Sequence, residues 1–507
     1  HRDLHSFPTR RSSDLGSGQK NSYVLFLVSV SLAIFMASLD GTIVNIALPT
    51  ISESFDISTT TVSWVATAYL IAMAGCVIIF GKISDLIGFK RIFVTGFAIF
   101  TLGSFMCGLL PDMFGSFDLL IVSRVFQALG GAMMTAIAPA MVTEYIPLDQ
   151  KGKAMGIVIT IAALGTAIGP TVGGLLTDYL SWHWIFFINV PIGICAILLG
   201  LRVVPKDSRV GNLSGFDYRG GVLVFVGLAT LIFAISEGLT LGWTSLPIIA
   251  ALVVAAFSLS YLVYHERRVP DPLLELRLFS NRNFLFANLA MCLLFFSFGG
   301  INYLFPFYFE YVHGFSSASA GIIMTTLSFA MMVSGVAAGV LFNRVGGRRM
   351  GIAASLVIVL GYFMLTTLRV DSTLGQIIGT LFLIGFGLGL LVTPLTNMIM
   401  NSVGKPYQGM VSSLTSLERF APMPLGIACF NLVLLWGMST VANRRHVTTA
   451  APVDIQVQVL NAGFDIAFFG AFIVGIVILV LVVLTRLEIH PDYLDREEQE
   501  EVPMGMM

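Results

Sequence analysis

The chain reads as an all-α polytopic membrane protein with about fourteen spans, and three observations carry that reading. Of its 507 residues, 56% are hydrophobic and 11% charged, against roughly 25% charged in a soluble domain. The apolar residues gather into runs near the roughly 20 residues that cross about 30 Å of hydrocarbon. None of the runs alternates as barrel strands do, and only helices or closed barrels satisfy their own backbones in lipid.

In order, the runs lie near 23–48, 62–80, 92–110, 118–143, 154–176 and 184–203, then 219–236 and 246–264. The last six lie near 284–309, 319–341, 350–368, 375–400, 410–437 and 465–486. With the N-terminus cytoplasmic, only Arg369, Arg444 and Arg445 fall outside and Arg124 and Arg419 fall within spans. The other basic residues lie inside, so both termini are expected to be cytoplasmic in a cell (inner or plasma) membrane. Two loops are long: an inner one from Arg202 to Arg219, and an outer one from Met438 to Phe464. The domain reading is a leader over 1–20, one bundle over 21–203 and a linker with two extra spans over 204–283. A second bundle over 284–487 and a cytoplasmic tail over 488–507 complete it. The leader has neither an initiator Met nor an apolar core, and is expected to be non-native or disordered.

A net charge of −1 gives no electrostatic case for nucleic acid. The five cysteines, Cys76, Cys107, Cys195, Cys292 and Cys429, are scattered through apolar runs without metal-like spacing. They read as core or lipid-facing residues, and no metal or cofactor is expected. No Walker loop, HExxH or nucleophile elbow is present, which argues against an ATP-driven pump or a membrane enzyme. The Gly385-Phe-Gly387-Leu-Gly389 run sits inside an apolar span with no strand before it, so it reads as helix packing rather than a dinucleotide loop.

Two inner loops repeat one pattern. The first runs Gly81-Lys-Ile-Ser-Asp85-Leu-Ile-Gly88-Phe-Lys90-Arg91, and the second Gly339-Val-Leu-Phe-Asn343-Arg344-Val-Gly346-Gly-Arg348-Arg349. Matched glycines, a central acid or amide and a basic end imply two similar halves. The first copy matches the signature loop of the major facilitator superfamily, which the chain resembles. Leu39-Asp40-Gly-Thr42-Ile-Val-Asn45-Ile-Ala-Leu-Pro49, Arg124-Val-Phe-Gln127-Ala-Leu-Gly130-Gly131 and Gly165-Thr-Ala-Ile-Gly169-Pro170-Thr-Val-Gly173-Gly174 resemble motifs of its fourteen-span drug:proton antiporter branch. Trp182-His-Trp184-Ile-Phe-Phe-Ile-Asn189-Val-Pro191 is also similar, with His183 where the branch usually has Arg. The resemblance implies the major facilitator fold: two six-helix bundles around a central cavity, plus two linker helices. It also implies multidrug efflux and antibiotic resistance.

Within that frame Asp40 is the sharpest candidate, about 16 residues beyond the inner edge of its span, or roughly 25 Å along the helix. A charge there costs several kcal/mol unless protonated, paired or hydrated, so it reads as a proton carrier or as an outer-end residue in interfacial water. Arg124 cannot shed its proton and needs backbone carbonyls, Gln127 or a carboxylate beside it. The resemblance gives it a part in proton coupling; plain structural bonding is the alternative. Gly165, Gly169, Pro170, Gly173 and Gly174 permit close helix approach and a kink, whether for packing or for a bend that seals the outer gate. Gly81, Asp85, Gly88, Lys90 and Arg91 read as a switch, with Asn343, Arg344 and Arg348 in its second copy, where Asn343 leaves the central position neutral. Glu310 and Glu237 fall at outer ends of spans, where an interfacial role is the plain reading. Glu418, beside Arg419 and ahead of Pro422 and Pro424, is a candidate second proton or cation site. Glu310 and Glu418 thus join Asp40 and Arg124 as candidates for proton coupling, and Asn45, Gln127 and Trp64 are expected to line the cavity.

The expected function is proton-driven export of a hydrophobic, cationic compound. Export of a defined metabolite is the nearest rival, and a ligand-binding membrane sensor the rival of another class. The expected partners are the substrate, protons and the lipid bilayer, with a membrane fusion protein added in a double-membrane cell.

Overall fold

The computed structural model describes residues 17–146, 148–205, 217–269, 275–404, 408–445 and 452–485. No β-strand occurs among them. In the first half of the chain the helices are α1 (Ser17–Ser54), α2 (Thr59–Ile87), α3 (Phe89–Phe114), α4 (Phe117–Tyr145), α5 (Leu148–Tyr179), α6 (Trp184–Phe187) and α7 (Asn189–Val203). α8 (Tyr218–Leu241) and α9 (Leu246–Glu266) follow. The second half holds α10 (Arg282–Phe307), α11 (Ser317–Val345), α12 (Gly347–Leu365), α13 (Leu374–Asn401), α14 (Gln408–Phe420), α15 (Pro422–Arg445) and α16 (Val453–Leu484).

Fourteen of the described helical stretches are long and apolar enough to cross a membrane. α1 to α7 pack into one set and α10 to α16 into another; α8 and α9 pair with each other, and α8 lies against both α2 and α15. The linker pair therefore touches both sets. The Gly385–Gly389 run packs as expected of small residues: a Cβ at Gly385 or Gly389 would press on α11, and one at Gly387 on Ile358 of α12.

Helix ends follow local chemistry. Ser58, Ser316 and Asn281 each accept a backbone N–H as N-caps, and Thr373 forms a capping box with Gln376. The two repeat loops end α2 and α11 on glycines with positive φ, 102° at Gly88 and 82° at Gly346, where a Cβ would be strained. The repeat extends to the basic residues. Lys90 Nζ donates to Leu201 O and Val204 O, both at 2.7 Å, at the C-terminus of α7. At the matching position Arg348 donates to Val483 O at the end of α16, 3.2 Å away. Each cation meets carbonyls left open at a helix C-terminus.

Several boundaries differ from the sequence expectation. The first span does not stop at residue 48: α1 runs through Pro49 to Ser54, so Asp40 lies near its middle rather than at an outer end. The outer loop expected over Met438–Phe464 is largely helix, because α15 continues to Arg445 and α16 begins at Val453. The polar residues there extend helices beyond the apolar run instead of ending them. The thirteenth span breaks at Ala421, where Pro422 and Pro424 supply no N–H to the carbonyls of Glu418 and Phe420. Of the expected leader over 1–20, residues 1–16 lie outside the described residues, and α1 begins at Ser17. So do most of the inner loop between α7 and α8 and the tail over 488–507.

Candidate functional site

Asp40 is fully buried, and its carboxylate turns into the first helical set. Oδ2 lies 2.7 Å from Arg124 Nη1, and Oδ1 accepts from Gln127 Nε2 at 2.8 Å and Asn189 Nδ2 at 3.3 Å. Arg124 is 1% exposed. Its Nη1 also donates to Gln127 Oε1 at 2.6 Å, and its Nε to Val65 O at 3.1 Å. Its guanidinium stacks 4.0 Å above the Tyr69 ring. Gln127 Nε2 reaches Ser104 Oγ at 2.8 Å. α1, α2, α3, α4 and α7 therefore each contribute a group to one polar cluster. The ion pair is compensated by hydrogen bonds on both partners, which a buried pair requires.

Local sequence explains how these groups meet. Arg124 and Gln127 are three residues apart on α4 and so share a face. Gly130 and Gly96 sit where α3 and α4 cross, and a Cβ at either would strike the other helix. That close approach brings Ser104 against Gln127. Sequence reasoning missed Ser104, Asn189 and Tyr69. Asn189 stands inside a recognised motif, which was the available signal; Ser104 and Tyr69 carry none.

The expectation of Asp40 in interfacial water is overturned by its burial. It does not face the space between the halves either. Its neighbour Gly41 does: it is exposed with nothing near a would-be Cβ, and Ile34 and Ser38 on the same stripe of α1 are half-buried. Adjacent helical residues point about 100° apart, so Asp40 lies behind the wall of that cleft.

Asn45 lies on the same stripe, one turn beyond Gly41, and its amide donates to Asn302 Oδ1 of the second half at 3.1 Å. Other described hydrogen bonds between the halves are Thr50–Ser317 at 3.3 Å, Asn431 to Thr60 at 3.0 Å, Thr171–Thr325 and Tyr303 to Thr59 O. All of them lie on the side of the membrane opposite the basic loops. The antiporter-motif residues occupy the same region. Gly165, Gly169 and Gly173 press α5 onto α1, while Pro170 and Gly174 abut Gly321 and Ser317 of α11. One short segment thus holds α1 on one face and the second half on the other.

Trp64 does not line the central cleft. Its Nε1 donates to Glu237 Oε1 of α8 at 2.9 Å, so both residues bind the linker helix to α2. With Thr61, Phe117, Asp118, Ile121 and Val122 it borders a shallow groove of about 340 Å³ outside the first set. Glu310 falls in a π-helical turn, Tyr308–Val312, and accepts from Ser317 Oγ at 2.9 Å, which places it beside the contacts between the halves. Next to this turn, burial pushes the His313 imidazole below the usual histidine value. Glu418 is 4% exposed, and its Oε2 has no hydrogen-bond partner; Arg419 beside it is exposed. Gly81 borders open space, Arg91 is exposed beside Lys90, and Arg344 is exposed at the end of α11. The side chains of Lys82, Asp85 and Asn343 lie outside the described residues.

Residues 30–427 match the profile of the Major Facilitator Superfamily. The chain is 33% identical over 438 residues to Multidrug resistance protein Stp of Mycobacterium tuberculosis, covering 86% of this chain and 80% of that protein. It is 33% identical to Riboflavin transporter RibZ of Clostridioides difficile, covering 80% of this chain and 87% of that protein. With Multidrug transporter protein MdtP of Bacillus subtilis it shares 31% identity over 82% of this chain and 76% of the relative. A bacterial homolog of the human lysosomal transporter Spinster, solved inward-facing and occupied, has the same fold: TM-score 0.64, 16% identity, and coverage of 93% and 97%.

Proposed function

The chain belongs to the Major Facilitator Superfamily, and from that premise we propose that this transporter is a proton-coupled secondary exporter of hydrophobic compounds, working by alternating access. The observation that carries the proposal is the sealed Asp40–Arg124–Gln127 cluster at mid-span. There Asp40 is paired with a guanidinium that cannot deprotonate. A proton arriving on Asp40 cancels the attraction and leaves Arg124 seeking other acceptors, and in a membrane interior that change is worth several kcal/mol. α1 carries Asp40, and α5 grips α1 through its glycines while abutting α11. Protonation thus acts on the helices that hold the halves together, a rigid-body switch driven by one local charge.

The basic loops, by the excess of Lys and Arg, face the cytoplasm of a cell membrane, together with both termini. Each proton entering gains about 2.3 kcal/mol per 100 mV, enough to support export against tenfold gradients. In a double-membrane cell, a membrane fusion protein would extend the path. The cationic substrate expected from the sequence rested on an Asp40 facing the cavity. Since Asp40 turns to Arg124 instead, hydrophobicity is the substrate property proposed here, and charge is decided by other residues. One observation favours a second reading, export of a defined metabolite: a relative of equal identity is named as a riboflavin transporter.

The test is dye uptake into energised inverted vesicles, with and without an uncoupler, for the wild type and Asp40→Asn. Uncoupler-sensitive uptake that the variant loses supports proton antiport through Asp40. Full uptake by the variant moves coupling elsewhere, and uptake of riboflavin alone, among many compounds offered, supports the metabolite reading.

A further inference from the structure

Asp40, Arg124, Glu418 and Arg419 are charged residues within membrane-spanning stretches, away from the outer-level pair Arg369–Asp465. Asp40 and Arg124 neutralise each other out of reach of the cleft, and Glu418 is buried. Arg419 is accessible, and among the described residues its guanidinium meets no hydrogen-bond partner. Its helix, α14, is enclosed by α2 of the first half and by α10, α13 and α15 of the second.

On α14, Arg419 is exposed. The opposite face, with Val411, Leu414 and Leu417, is buried. An unpaired guanidinium cannot turn to lipid, where each unsatisfied polar group costs several kcal/mol. Set between α2 of the first half and α10, α13 and α15 of the second, it stands at the seam between the halves. At its top the helix breaks at Ala421, and Phe420 packs against both halves. On α13, Thr393 and Asn397 are half-buried, and the Asn397 amide donates to Thr393 O at 2.9 Å.

We propose that Arg419 is the polar anchor of the substrate site, taking an electron-rich oxygen acceptor — a carbonyl, phenolate or carboxylate — on an otherwise apolar aromatic compound. This rests on the exporter reading above, and it reverses the sign of the substrate charge expected from the sequence. A guanidinium presents planar paired donors to such acceptors and stacks on aromatic rings, so one side chain can hold both parts of the molecule. A permanent cation meets a like charge at the same point. Glu418, adjacent but turned about 100° away into the α10 contact, positions the neighbouring backbone and sets the field on Arg419 without touching substrate.

The experiment compares two dyes of one xanthene scaffold, anionic fluorescein and cationic rhodamine 123, in proteoliposomes under a proton gradient. Wild type, Arg419→Gln and Arg419→Lys are measured. Gln keeps a polar side chain at the site but removes the charge beside buried Glu418, so Arg419→Lys, which retains that charge, serves as the control for the fold. The expected result is a KM for fluorescein raised about tenfold or more in Arg419→Gln, the worth of a charge-assisted hydrogen bond. The KM for rhodamine 123 stays level or falls, and Lys restores part of the loss. Unchanged fluorescein KM in Arg419→Gln, or a wild type that moves rhodamine 123 and not fluorescein, overturns the assignment while leaving the exporter reading intact. Absence of gradient-driven movement of either dye removes the exporter reading instead. In that event fluorescein anisotropy on the purified full-length protein, wild type against Arg419→Gln, decides the Arg419 assignment by itself.

Discussion

At the residue scale, the buried Asp40–Arg124 pair carries a prediction about stability and one about the proposed transport. Removing one partner of a buried pair strands the other charge and typically costs about 3–5 kcal/mol, whereas removing both charges with shape kept can be nearly neutral. Arg124→Gln alone is therefore expected to lower the thermal midpoint of the detergent-purified protein clearly, since Asp40 then keeps only Gln127 and Asn189. Combining it with Asp40→Asn should recover much of that midpoint, while gradient-driven transport stays lost. Thermal scans of the two singles and the double form a cycle that checks this, and additive losses would mean the pair contributes nothing beyond two separate side chains. His183 offers a contrast. It stands where the branch usually has Arg, and pairs with Asp112, 65% exposed, at 2.9 Å; such an exposed pair is worth about 0–1 kcal/mol.

At the scale of elements, Gly169 and Gly173 of α5 and Gly41 of α1 behave oppositely although sequence alone treats them alike. A side chain at Gly169 would overlap Thr42 of α1, and one at Gly173 would press on Ile43. Gly169→Val should force α1 and α5 apart at about 1–3 kcal/mol and abolish transport. Gly41 borders open space, so Gly41→Ala should leave the thermal midpoint level or raise it slightly, since Ala costs about 0.5–1 kcal/mol less than Gly in a helix. Thermal scans of both variants on one preparation check the contrast; equal losses would mean that Gly41 is packed. The α14–α15 break belongs to this scale too. Pro422 and Pro424 end one helix and start the next, which separates α14, with its exposed Arg419, from the apolar α15.

At the scale of the molecule, five described hydrogen bonds between the halves join neutral amides, hydroxyls and a backbone carbonyl, with Tyr311 also meeting Ser52 and the Glu53 carboxylate, and they gather on the side opposite the basic loops. Neutral contacts break at lower cost than ion pairs, so a gate of this kind can open once per cycle without a large barrier. Thr171 and Thr325 hydroxyls touch across α5 and α11. A Thr171→Cys/Thr325→Cys protein should cross-link readily at rest and lose transport until reduced. If a proton gradient with a transported dye opens this gate, the cross-linking rate should fall several-fold; a rate indifferent to both would mean that α5 and α11 never part. The linker pair sits outside this cycle, held to α2 through Trp64 and Glu237 and lying against α15 as well.

What the sequence determined by itself is the framework: helical class, span count, the paired basic loops, the family, and the residue types that a membrane interior tolerates only with partners. Those follow from solvent physics and periodicity, which act locally along the chain. Arg124 had to have acceptors, and Pro422 had to interrupt a helix, wherever the fold placed them. Tertiary structure alone decided which way each side chain turned. Asp40 and Gly41 are neighbours in sequence, yet one is sealed against Arg124 and the other opens on the cleft, because helix rotation is set by packing against α2, α4 and α5. Trp64, expected in the cavity, was turned to the linker by Glu237, 173 residues away. Glu418 and Arg419 are neighbours too, yet one is buried and the other exposed, because burial on one helix turn depends on neighbours that no local pattern names.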